Sequence, residues 1–235
     1  MTGFKKTAIV VLLVGQGFTG TSQASLVARA GGMVYDDVHN ITWAADANLF
    51  QTQVASNPNL VSQIIAGNGG VIHDTPNRYD TPANSGIHTL TTADFNTGTG
   101  GMTWWGAQAW ANNLTLGGYT DWSLPTTIPD TYGWYNTASS QMGDLFYNQL
   151  GGVWQVDITK IHNSNYNLFA NIQRYSYWSG SGYAFFPDGA WAFNPKYGNQ
   201  GIPSKVYQCY AWAVSAQAML PPFRYLVRFV CLVVA

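Results

Sequence analysis

Residues 102–127 read MTWWGAQAWANNLTLGGYTDWSLPTT, and the rest of the chain is organised around them. Trp104, Ala107, Trp110 or Ala111, and Leu114 recur at spacings of three and four, which places them on one face of a helix. Gly117-Gly118 supplies the stop, because glycine enters left-handed backbone without a steric penalty. Tyr119-Thr120-Asp121-Trp122-Ser123-Leu124 then suits an extended segment, and Pro125 ends it. The pattern predicts a Trp-bearing helix followed by a short aromatic strand. Trp110 and Trp122 are expected to lie together beneath a later sheet.

On the N-terminal side, Met33-Val34-Tyr35-Asp36 and Ile41-Thr42-Trp43-Ala44 read as two strands around the turn Asp37-Val38-His39-Asn40. Residues 47–66 read as helix with a break at Asn57-Pro58, since the residue before proline is pushed out of the helical region. Residues 68–101 carry the weakest pattern and many glycines and prolines, so they are expected to be a loop insertion, partly ordered at 87–95.

On the C-terminal side, residues 139–150 (SSQMGDLFYNQL) predict a helix capped by Ser139 or Ser140, with Met142, Leu145, Phe146 and Leu150 inward. Residues 163–171 are rich in Asn and read as loop. The period then changes to two. Residues 175–180, 189–194 and 207–214 are strand candidates separated by Gly, Pro and Asn. Helices first and strands later predict an α+β domain, two or three helices packed on a small twisted antiparallel sheet.

Composition narrows the class. Of 235 residues, 46% are hydrophobic and only 9% are charged, and the eleven acids are all Asp. That is the reverse of a disordered chain. The near-neutral charge lacks the Lys and Arg clusters that displace counterions from phosphates, so no nucleic-acid partner is expected. Lys5-Lys6, the apolar run 7–14 and Ser22-Gln23-Ala24 predict a signal peptide over 1–24, hence export to the periplasm, the cell surface or the medium. Its removal leaves eight basic and eleven acidic residues, a net charge of −3. The domain is then 25–219, and 220–235 is an apolar tail too short to span a membrane, so the mature chain is expected to have no membrane span.

These residues resemble the Lcl C-terminal domain family, named after a Legionella collagen-like surface protein. The resemblance is carried by a Trp-bearing helix, then Gly118-Tyr119-Thr120-Asp121-Trp122-Ser123-Leu124-Pro125-Thr126. Tyr177-Trp178-Ser179-Gly180-Ser181, Ala190-Trp191-Ala192-Phe193 and Tyr210-Ala211-Trp212-Ala213-Val214 follow in the family's order. Ser123 stands where the family carries Arg. The resemblance implies a C-type-lectin-like fold and a bacterial surface-binding or adhesive role.

The chemistry-bearing residues point the same way. His39, His73, His88 and His162 are scattered, with no H-x-H or H-E-x-x-H spacing, and Asp36-Asp37 with Asn40 reads as an Asx-capped turn more readily than a calcium loop, so no metal or cofactor is expected. Cys209 and Cys231 are the two cysteines, either paired or separate thiols. Asp121 and Asp144 are candidate acids, but there is no G-x-S-x-G. The 35 aromatic residues (10 Trp, 14 Tyr, 11 Phe) exceed the needs of one core, and exposed Trp and Tyr are good binding anchors. Trp110, Trp122, Trp178 and Trp191 read as core. Trp105, off the main helix face, and Tyr183, in the loop 182–189, are expected at the surface as ligand-binding residues, with Lys196 and Lys205 adding charge. The expected function is binding of a polysaccharide or a cell-surface protein, without catalysis. The alternative is an enzyme of the formylglycine-generating or carbohydrate-hydrolase type.

Overall fold

The side chain of Asp36 turns the chain back at the first hairpin. Its Oδ1 accepts the backbone N–H of Val38 (3.0 Å) and of His39 (3.1 Å), and Asn40 takes up the left-handed conformation, φ 55°. In the computed structural model, which describes residues 26–127, 138 and 140–216, that hairpin joins β2 (Met33–Asp36) to β3 (Ile41–Ala44). The expected signal peptide, the tail 220–235 and Cys231 lie outside the described residues. β1 (Leu26–Arg29) pairs antiparallel with the outer edge of β2.

The break at Asn57-Pro58 separates α1 (Leu49–Ser56) from α2 (Leu60–Gly67). Residues 68–101, expected to be a loop insertion, are built into the body instead. They hold the hairpin β4 (Val71–His73) and β5 (Ile87–Thr89), then a 3-10 turn at Thr92–Asp94. Side-chain caps, not apolar periodicity, shape this segment. Asp80 accepts the backbone N–H of Asn77 and Gly86, and Asp94 accepts that of Thr91.

The helix of the central stretch is α3 (Trp104–Asn112), opened by Thr103, whose Oγ1 accepts the N–H of Gly106 at 3.2 Å. Gly117 (φ 62°) and Gly118 (φ 86°) turn the chain into β6 (Trp122–Ser123). Trp110 and Trp122 are both buried, and α3 packs against β6. Next, α4 (Gln141–Asp144) starts on the Ser140 cap and widens into π-helical turns at Leu145–Gln149, with Met142, Leu145, Phe146 and Leu150 inward as expected. The Asn-rich segment contains a 3-10 helix, Ser164–Leu168.

The last part of the chain forms β7 (Tyr177–Gly182), β8 (Ala190–Asn194) and β9 (Asn199–Gly201), an antiparallel three-stranded sheet. The strand expected over 207–214 is broken up. Cys209 bridges Met102, Tyr210 bridges Tyr177, and β10 (Val214–Ser215) alone joins a sheet. There β10 lies between β3 and β6, so a five-stranded antiparallel sheet runs β1-β2-β3-β10-β6. Among the described residues the class is α+β as expected, with four helices of four to nine residues and three antiparallel sheets where a single sheet was expected.

Tryptophans fill the core. Trp43, Trp105, Trp110, Trp178 and Trp212 are fully buried. A buried indole N–H usually finds a partner, and of these five only Trp43 Nε1 has none among the described residues. Trp212 donates to the Ala44 carbonyl, Trp178 to that of Met102 and Trp110 to Gln53 Oε1, each at 2.8 Å. No helix among the described residues is long and apolar enough to cross a membrane.

Candidate functional site

Lys205 is held in place by its backbone before its side chain does anything. Its carbonyl accepts the N–H of Trp104, the first residue of α3, at 2.9 Å, and its own N–H donates to the Asp188 carbonyl at 2.8 Å. The side chain is therefore pinned between the start of α3 and the loop after β7. It is 1% exposed. Its ammonium lies 4.5 Å from the ring centroid of Trp104 and 6.0 Å from that of Trp105, and it pairs with Asp74 Oδ2.

Asp74 follows β4 and is fixed by its N–H to the Gly86 carbonyl. Its Oδ2 also accepts Trp105 Nε1 and Asn77 Nδ2, both at 3.3 Å, and its Oδ1 accepts the N–H of Thr75 at 2.7 Å. A buried ion pair survives only when the remaining lone pairs are satisfied in this way. Behind it, His88 stacks on Trp105 with centroids 3.9 Å apart and planes 6° from parallel. His88 Nε2 meets Asp94 Oδ1 at 3.1 Å, and Asp94 Oδ1 also accepts Thr103 Oγ1 at 2.7 Å. Burial alone would raise the Asp94 carboxyl, but hydrogen bonds from His88, Thr103 and the Thr91 N–H outweigh it and hold the group below the usual carboxylate range.

In front of the pair is a cleft of ≈ 290 Å³. Asp74, Trp104 and Lys205 line it, together with Tyr183, Ala184 and Pro187 from the loop after β7. The Tyr183 ring packs edge-on against Trp191 at 5.4 Å and lies 5.7 Å from that of Phe185, which is 81% exposed. Arg78 pairs with Asp188 at 3.1 Å and ties the 74–80 turn to this loop.

Two of the four residues expected to bind ligand, Tyr183 and Lys205, meet at this cleft although they come from different loops. The other two do not line it. Trp105, expected at the surface, is fully buried: α3 is covered on almost every side, so the face left over by the core stripe is also interior, and its indole supports Asp74 from behind. Lys196 is half-buried, with its ammonium 4.8 Å from the centroid of Tyr197. Lys205 was expected to add charge to a binding face from a late loop; the structure instead buries it against two indoles and one carboxylate, as part of the wall. Asp74 was not singled out by the sequence, and Trp104 was read only as part of the apolar face of α3. Asp74 stands 131 residues from its lysine, a separation that no local pattern reports.

The cleft is equipped for binding. Lysine carries three donors and Asp74 engages it through one oxygen, leaving donors for a polar ligand. Glycoside hydrolysis generally uses two carboxylates across a cleft, and Asp74 is the one carboxylate among the described lining residues. Burial pushes the Cys209 thiol up to about 12, far from the reactive thiolate that cysteine chemistry requires. Comparisons with protein-family models, curated proteins and solved structures find no match to this chain.

Proposed function

We propose that the protein is an exported bacterial surface or secreted binding domain of C-type-lectin-like fold, and that its cleft takes one sugar unit of an envelope or extracellular polysaccharide. The observation that carries this reading is the juxtaposition of a buried, charge-paired lysine with Trp104 and Tyr183 around a cavity of ≈ 290 Å³. That size is at the small end of ligand pockets, of about 300–1,000 Å³. It suits a single ring with hydroxyls facing Lys205 and Asp74 and an apolar face against the aromatics. The resemblance of residues 118–126 and 177–181 to the Lcl C-terminal domain family supports the same adhesive role. The exposed Phe185 beside the cleft would extend the contact to the polymer or to a protein that carries it.

A glycan array probed with the full chain tests the proposal. Tyr183→Ala removes an aromatic ring from the lining without stranding a buried charge, and it should weaken binding at least tenfold. Binding that is absent from correctly folded protein, or unchanged in Tyr183→Ala, would overturn it. The catalytic alternative has less support, because the cleft offers one carboxylate and Cys209 is buried away from it.

A further inference from the structure

The first hairpin and α4 bring together three donor atoms that share no residue with the cleft. His39 Nδ1 lies 2.9 Å from Asp36 Oδ2 and 3.5 Å from Asp144 Oδ2, and all three atoms fall within 4.8 Å of one another. Zinc binds nitrogen and carboxylate oxygen at about 2.0–2.2 Å in a tetrahedron, which sets its donors about 3.3 Å apart. The two distances to His39 bracket that value. The geometry points to a zinc-type divalent cation held by Asp36, His39 and Asp144.

Charge supports the assignment independently of spacing. The Asp36 side chain is 2% exposed and that of Asp144 is 13% exposed. Among the described residues, no lysine or arginine lies within ion-pair distance of either carboxylate. Two carboxylates withdrawn from water onto one imidazole leave an excess of negative charge that a divalent ion would neutralise.

The surroundings orient the donors as metal ligands are usually oriented. Backbone N–H groups of Val38 and His39 hold Asp36 through Oδ1 and leave Oδ2 directed at His39. Asn148 Nδ2 donates to Asp144 Oδ1 at 2.6 Å, and Gln149 Nε2 reaches Oδ2 at 3.5 Å, so Oδ2 is steadied from one side and keeps its second lone pair for the site. The imidazole is 36% exposed, so the fourth position opens toward solvent and would take water or a ligand oxygen. Calcium wants six to eight oxygens. Three donors that include a nitrogen suit zinc better. Sequence spacing concealed this set, because Asp144 is remote from the Asp36 turn.

Chelator-treated, untagged full chain titrated with Zn²⁺ in a calorimeter should bind one equivalent, and its melting temperature should rise. Ca²⁺ at the same concentration should do neither. His39→Ala and Asp144→Asn should each weaken zinc binding about 100-fold while their metal-free melts stay close to the parent's; Asp36 is spared because its Oδ1 shapes the turn. Co²⁺ should give the visible absorption of a tetrahedral site in the parent and lose it in both variants, which keeps the test valid if one variant folds poorly. Absence of saturable zinc binding, or binding that survives His39→Ala, would overturn the assignment and leave a hydrogen-bonded His–Asp cluster. Neither result bears on the glycan test, whose residues are different.

Discussion

Single side chains differ here chiefly in what surrounds their charge. Lys205 and Asp74 are both buried, so replacing either strands the other in a low-dielectric wall, at a cost of about 3–5 kcal/mol. That is why Tyr183 is the better probe of the cleft. Asp94 gives a pH signature. Its pKa is depressed in the folded state by His88, Thr103 and Thr91, so its contribution is complete above the unfolded value of about 3.9 and is lost as pH falls through the lower folded value. Urea unfolding of the parent from pH 5 downward should show stability falling below about pH 4. Asp94→Asn should be less stable at pH 7 and show a shallower acid limb, and equal slopes for the two proteins would contradict the assignment. The residues that sequence reading placed correctly at this scale are those with short-range causes. The Asp36 turn, the Ser140 cap and the glycine stop at 117–118 each need only neighbours a few positions away. Trp105 was misplaced because helical periodicity reports which face is apolar, not how many faces are covered.

At the scale of elements, α3 shows local preference yielding to packing. Alanine in place of a helical glycine ordinarily helps by about 1 kcal/mol. At Gly106 an added Cβ would sit 2.5 Å from the Asp94 carbonyl oxygen, closer than real contacts allow, and the obstacle is backbone. Overpacking of this kind costs about 1–3 kcal/mol. Gly106→Ala should therefore destabilise the protein by up to about 2 kcal/mol in urea titration, against the trend of helix propensity. A stabilised variant would show that the 3-10 turn at Thr92–Asp94 moves away freely. The close approach also explains why residues 68–101 could not be read as structure. Their order comes from docking on α3 and on Lys205, and hydrogen bonds from Asp, Asn and Thr side chains leave no hydrophobic period behind.

For the whole molecule, the decisive event is the return of residues 209–215. Cys209 and Tyr210 bridge two separate segments, Trp212 enters the core, and β10 fills the gap between β3 and β6. Trp212 touches Trp43 (5.6 Å), Phe169 (5.0 Å) and Tyr177 (5.4 Å) and donates to the Ala44 carbonyl, so it joins the first hairpin to the last strands. Trp212→Ala should cost about 3–5 kcal/mol, a large share of the stability of a domain worth about 5–15 kcal/mol. Urea unfolding followed by fluorescence and by circular dichroism should move together; a loss confined to one probe would mean that the sheets unfold separately. By itself the sequence determined the α+β class, the first hairpin, the break before Pro58, the Trp-bearing helix with its stop, and the burial of Trp110, Trp122, Trp178 and Trp191. All of these follow from periodicity, capping and backbone sterics acting over a few residues. Only the tertiary structure decided that β10 sits between β3 and β6, that Asp74 meets Lys205 at a cleft, and that Asp144 faces the Asp36 turn. Those are pairings across tens to more than a hundred residues, chosen by which buried charges and strand edges must be satisfied together, and that requirement exists only once the chain has closed.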